Sequence, residues 1–212
     1  MKFASIVTLC LFAAAPALRA QTWEVGGAAG VGFYNGRSIE RPTESAQAKI
    51  KTGIEGSAWF ANNNSRYWGG EIRYDYQRGN LGLKQGGTQA TFGAESHAIH
   101  YDFLWHTSEI GSTVRSYIAF GAGVKIYRGT GTEALTQPLS RFALLTKTNE
   151  LKGMISVGAG VKWKLGHSAQ LRVDIHDYIT QFPKEVITPN TGAKIGGWIN
   201  DIVPTVGISW AK

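Results

Sequence analysis

Val114-Arg115-Ser116-Tyr117-Ile118-Ala119-Phe120-Gly121-Ala122-Gly123-Val124-Lys125-Ile126-Tyr127 alternates along its length. On an extended strand successive side chains point to opposite faces. Val114, Ile118, Phe120, Ala122, Val124 and Ile126 then share one face. Arg115, Tyr117, Gly121, Gly123 and Lys125 share the other. One side is apolar and the other carries charge and room. A strand of ten or more residues has the reach to cross a bilayer at a tilt.

Seven further segments carry the same pattern, so the reading is an all-β fold of eight antiparallel strands. Trp23 to Tyr34 sets Trp23, Val25, Val31 and Phe33 against Glu24, several glycines and Tyr34. Lys49 to Phe60 sets Ile50, Ile54, Ala58 and Phe60 against Lys49, Lys51, Glu55 and Ser57. Tyr67 to Gln77 sets Trp68, Ile72, Tyr74 and Tyr76 against Glu71, Arg73, Asp75 and Gln77. Thr91 to His106 sets Ile99, Tyr101, Phe103 and Trp105 against Ser96, His100, Asp102 and His106. Leu151 to Leu165, Ala169 to Ile179 and Trp198 to Trp210 complete the set. Pro204 in the last predicts a bulge or weak pairing, because proline gives no N–H to a ladder.

The connections alternate in length. Ala61–Arg66, Ser108–Ser112 and Gly166–Ser168 are short and rich in turn residues. Asn35–Ala48, Arg78–Ala90, Arg128–Glu150 and Pro183–Gly197 are long. Trp23, Trp68, Trp105, Trp163 and Trp210 all carry the parity of the apolar face and all lie at the short-turn rim, where an interfacial aromatic girdle belongs. Phe33, Tyr74, Tyr76, Ile126 and Trp198 form a looser girdle at the other rim.

The opposite face carries Glu55, Glu71, Arg73, Asp75, Asp102, Arg115, Lys125, Lys162, Arg172, Asp174 and Asp201. An eight-stranded barrel has an interior just wide enough for side chains. Charges packed there must pair, since an unpaired buried charge is costly. The expectation is a closed lumen holding a structural salt-bridge ladder of Glu55, Glu71, Arg73, Asp75, Asp102, Arg115, Lys125, Arg172 and Asp174. A mixed-charge interior also argues against a lipocalin, which keeps an apolar inside and a wet outside.

Residues 1–20 read as a signal peptide: Lys2, an apolar run from Phe3 to Ala15, then small residues allowing cleavage after Ala17 or Ala20. The barrel domain is then 21–212. Cys10 leaves with the leader, so the mature chain has no thiol chemistry and no disulfide. Losing Lys2 and Arg19 takes the formal charge from +7 to +5. Without a basic run interleaved with aromatics, nucleic acid is excluded as a partner.

With its leader, eight alternating segments and alternating loop lengths, the chain resembles the small bacterial outer-membrane β-barrel family of the OmpX and OmpA transmembrane-domain type. The segment Val206-Gly207-Ile208-Ser209-Trp210 is similar to the terminal strand that the barrel assembly machinery reads in that family, although Ala211 and Lys212 follow the aromatic. The resemblance implies an eight-stranded antiparallel transmembrane barrel with short periplasmic turns and long extracellular loops. It implies no single activity, and the wall-anchoring role of longer relatives is not carried over.

The functional expectation is a non-enzymatic barrel with a structural or surface-interaction role, holding no cofactor and no metal. Its partners are the bilayer, the assembly machinery during biogenesis, and lipopolysaccharide, whose phosphates suit the basic loop residues Arg37, Arg41, Arg78, Lys84, Arg128, Arg141, Lys147, Lys184 and Lys194. The external partner is not legible. Two alternatives stand beside this reading. One is a lipid A-modifying enzyme built around Ser96, His97, His100 and Asp102; on a strand, however, Ser96 and His97 point to opposite faces, and Ser96 and His100 are too far apart to touch. The other is a narrow pore. Leu135, Leu139, Phe142, Leu144 and Leu145 make the longest loop unusually apolar, so that it either folds over the mouth or binds a partner.

Overall fold

The computed structural model describes residues 23–63 and 65–212. The leader expected at 1–20, with its alternative cleavage sites, lies outside them. In chain order the strands are β1 (Trp23–Tyr34), β2 (Arg37–Glu40), β3 (Ser45–Ile50), β4 (Gly53–Asn62), β5 (Trp68–Gln85), β6 (Thr88–His106), β7 (Val114–Gly129), β8 (Ala143–Leu145), β9 (Asn149–Lys164), β10 (Ala169–Gln181), β11 (Ile187–Pro189) and β12 (Trp198–Ala211).

Eight of them form the wall: β1, β4, β5, β6, β7, β9, β10 and β12. Each pairs antiparallel with its neighbour, and β1 closes the ring on β12. Closure leaves no free edge in the ring, which is the condition for a sheet to sit in hydrocarbon. The alternation read from the sequence is the alternation of the wall. On β7, Ile118 and Phe120 are each 48% exposed while Arg115, Tyr117 and Lys125 are buried.

Segment two differs from its reading. Ile50 pairs with Leu81, but Ile54 pairs with Arg78. Four steps on one strand meet three on the other, so one extra residue sits between β3 and β4 and the alternation reverses. Ile50, grouped with Ile54 by unbroken parity, therefore turns inward, while Ile54 and Lys49 stand outside. Pro204 has the milder of its two expected effects. The register of β12 against β1 is unchanged, but the ladder skips Val31 and Gly32, which face Pro204 and Val203.

The long-loop end is folded rather than loose. The stretch Arg78–Ala90 continues β5 and β6 into a projecting hairpin, turned at Gly86, whose φ of +54° suits glycine. Asn35–Ala48 contains the β2–β3 hairpin, which adds to β5. The two remaining connections pair through β8 and β11. Inside this end an apolar core gathers Ile39, Leu81, Leu83, Phe92, Phe142, Leu145, Phe182 and Ile187. The apolar loop 128–150 thus folds over the mouth: Phe142 and Leu145 are buried, whereas Leu135 and Leu144 remain exposed. Phe142→Ala removes a fully buried ring and should cost about 3–5 kcal/mol, read as a lowered midpoint for unfolding of the loop end by hydrogen exchange.

Candidate functional site

The lumen is the most constructed part of the molecule. At its centre Arg172 sends both terminal nitrogens to Glu71 and its Nε to Asp174 Oδ2 at 2.7 Å. Tyr117 donates its hydroxyl to the same Asp174 oxygen at 2.7 Å. Arg73 donates to Asp75 at 2.9 Å, to Asp174 at 3.2 Å and to the Ser57 hydroxyl at 3.0 Å. The indole of Trp59 lies beside both guanidinium groups, 4.4 Å from Arg172 and 5.4 Å from Arg73. Such contacts add cation–π attraction to ion pairs that are already dry.

Toward the loops, His100 bridges two carboxylates, with Nε2 2.9 Å from Asp75 and Nδ1 3.0 Å from Asp102. Lys125 donates to Asp201 at 2.6 Å and sits among the rings of Tyr34, Tyr127 and Tyr178. Toward the short turns, Lys162 donates to Glu24 at 2.6 Å, and Trp59 and Asn63 donate to the same carboxylate.

Glycine makes this packing possible. A Cβ at Gly160 would collide with the Tyr117 hydroxyl, and one at Gly158 with the His176 ring. Arg73 and Arg172 are fully buried, and the apolar cluster of the long-loop end lies beyond them.

All nine residues expected in the lumen are buried there. Glu71, Arg73, Asp75, Asp102, Lys125, Arg172 and Asp174 join ion pairs. Two stand apart. Among the described residues both carboxylate oxygens of Glu55 lack a hydrogen-bond partner, and Arg115 donates to the Ser108 and Arg66 carbonyls and the Asn63 side chain. The sequence reading sets Glu24 opposite the apolar face but leaves it out of the ladder, and it overlooks Trp59. The parity of Trp59, shared with Glu55 and Ser57, was the signal that would have placed it inside.

Of the five girdle tryptophans, Trp23, Trp68, Trp105 and Trp210 stand exposed on the outer wall and Trp163 is half-buried. Between them and the second rim, the wall exposes Ile72, Ile99, Phe103, Ile118, Phe120, Val157, Val173, Ile175 and Val206. A protein in water rarely shows so continuous an apolar surface.

Of the residues of the enzymatic alternative, His100 and Asp102 meet at 3.0 Å, but Ser96 and His97 join neither them nor each other. Ser96 is buried and hydrogen-bonds Gln77 and Tyr34, His97 lies on the outer wall, and His100 is held between its two aspartates. Among the described residues no group of three or more His, Cys, Asp or Glu is arranged to hold a metal.

No protein-family model matches the chain, and no curated protein matches it either. Solved structures do match. Neisserial surface protein A aligns over 89% of this chain and 96% of its own, at 9% identity and a TM-score of 0.53. Ail, the attachment invasion locus protein of Yersinia pestis, solved with the heparin analogue sucrose octasulfate, aligns over 90% and 99% at 9% identity, with a TM-score of 0.45. The outer membrane protease OmpT from Escherichia coli aligns over 89% and 97% at 8% identity, with a TM-score of 0.46. The closed antiparallel ring, its apolar wall and the likeness to Neisserial surface protein A give this chain the fold of the small outer-membrane β-barrel proteins.

Proposed function

We propose that this chain is a non-enzymatic barrel of the bacterial outer membrane, closed to solutes, with a structural or surface-interaction role carried by its long-loop end. In this reading residues 1–20 direct export, the strand ending at Trp210 is read by the assembly machinery, and the long loops face the outside. The observation that carries the proposal is the dry, paired interior: two guanidinium groups, fully buried and ion-paired, sit beneath an apolar cap. A pore needs a wet path, and an enzyme needs a reachable nucleophile and base; the dry, mutually paired charges of the described lumen support neither reading.

The outer wall supports a headgroup partner. Just above the apolar belt, Arg128 donates to Glu95 at 3.2 Å, and Lys49, Lys51, Arg78 and Lys84 stand nearby on the outer face. Phosphates of lipopolysaccharide suit this collar. One outer-wall feature favours the lipid A-modifying reading instead. The Tyr74 hydroxyl lies 2.7 Å from His97 Nδ1, and His97 Nε2 lies 3.8 Å from Glu95.

Purified barrel inserted repeatedly into planar bilayers should give no discrete conductance steps, and lipid A from cells with and without the protein should give the same mass spectrum. Reproducible steps would overturn the closed lumen. A mass shift that vanishes in His97→Ala would overturn the non-enzymatic reading.

A further inference from the structure

The short-turn end holds a cavity of about 240 Å³ for which the salt-bridge ladder gives no reason. Glu24, Arg115 and Lys162 line it from within, and Lys164, His167 and Lys212 line it from the rim. At the ~30 Å³ that one water occupies in the liquid, it has room for roughly eight waters, or for a phosphate-sized group with some of its hydration.

Its charges are unbalanced. Among the described residues one carboxylate side chain, Glu24, faces four cations, and Glu24 is already engaged by Lys162, Asn63 and Trp59. Arg115 is the sharper case. Arg73 and Arg172 are buried and each holds carboxylates. Arg115 is 7% exposed, yet its three hydrogen bonds go to neutral oxygens: the Ser108 carbonyl at 3.0 Å, the Arg66 carbonyl at 3.1 Å and the Asn63 side chain at 3.3 Å. A guanidinium has five N–H donors, so two have no partner among the described residues. Lys162 spends one donor on Glu24 and keeps two. The cavity therefore presents unspent donors from two buried cations at its floor and a further pair of ammonium groups at its rim.

We propose that this cavity is an anion-binding site, taking the phosphate or clustered carboxylate group of a soluble molecule on the short-turn side. Arg115 and Lys162 form the floor and Lys164 and Lys212 the rim. The guanidinium fork suits the paired oxygens of either group, and desolvated charge makes the contact stronger than at an open surface. The site lies inside the ring rather than on the outer wall, so its ligand comes from the aqueous side and not from the bilayer.

The test uses the folded barrel in uncharged maltoside micelles, titrated in separate arms with pyrophosphate, with citrate, and with sodium chloride at matched ionic strength. Backbone amide shifts of Gly111, Ser112 and Gln170 report the cavity. Saturable shifts with pyrophosphate, with citrate or with both support the site, and the arm that saturates names the ligand chemistry. Arg115→Gln and Lys164→Gln should each weaken binding about tenfold, the loss of one charge-assisted contact. Lys152→Gln, at the far end of the barrel, should leave the affinity unchanged. Lys164 is exposed, so its variant keeps the test valid where Arg115→Gln fails to give the heat-shifted gel band of a folded barrel. Shifts that only track ionic strength, equal in the chloride arm, overturn the proposal. So does a Lys164→Gln variant that binds as tightly as the parent.

Discussion

Arg172→Met should destabilise the barrel by about 3–5 kcal/mol, the largest loss expected from any single change in the ionic lumen. The side chain is fully buried, so its partners have no water to fall back on. Removing it takes both hydrogen bonds from Glu71, which is equally buried and keeps only Arg73, at 3.9 Å, as a cation among the described residues; Asp174 loses one of its two guanidinium partners. It also removes the cation beside Trp59. Much of the cost is the under-compensated Glu71 carboxylate, left without hydrogen bonds, rather than the intrinsic worth of the pair. The double variant Glu71→Met with Arg172→Met should therefore be less destabilised than Arg172→Met alone, since an apolar pair of similar volume often replaces a buried ion pair at little cost. Reversible urea unfolding in lipid vesicles, followed by tryptophan fluorescence, measures both. An outer-wall comparison sets the scale. Arg128→Met breaks the half-exposed pair with Glu95 and should cost less than about 1 kcal/mol. If the double variant fell below the single one, the stranded-charge account of this lumen would be wrong.

Parity alone located this network, because the period of a strand leaves no choice of face once one residue is placed. What parity could not show is a change in what each face means. Along β5 the inward positions run Glu71, Arg73, Asp75 and Gln77, then Leu81 and Leu83. The outward positions run Ile72, Tyr74 and Tyr76, then Arg78, Asn80 and Lys84. The polarity inverts within one unbroken strand. Below the inversion the outside suits hydrocarbon and the inside holds ions; above it the outside suits water and the inside is an ordinary apolar core. Read without this inversion, Arg78–Ala90 looks like a polar loop, although Leu81, Leu83, Ala90 and Phe92 keep strict alternation. The residue inserted between β3 and β4 hid Ile50 in the same way, by reversing parity just before Gly53, a lone glycine that the alternation was read straight through. The unbalanced cavity was illegible for a different reason. Arg115 is one lumen charge among many until the side-chain contacts show its hydrogen bonds to described residues ending on neutral oxygens.

The inversion also fixes where the bilayer must end, and that makes the outer wall testable at its midpoint. Outward apolar positions on β7 run from Val114 to Ile126. At about 3.4 Å per residue and a tilt of about 40°, that stretch rises about 31 Å, close to a hydrocarbon core. Ala122 lies within it, outward-facing, paired with Tyr101 on one side and Ile155 on the other. Ala122→Arg should cost about 2–4 kcal/mol in vesicles, the penalty for a guanidinium near the bilayer midplane. Val114→Arg, at the tryptophan rim, should cost no more than about 1 kcal/mol, because there the charge reaches the interface. In uncharged detergent micelles, which deform around a charge, the gap between the two variants should narrow. A wall that faced water would treat both as surface substitutions, within about 0.5 kcal/mol of the parent. Equal, small effects of the two in vesicles would mean that lipid is not the solvent of this surface, and the closed ring would need another reason for its greasy exterior.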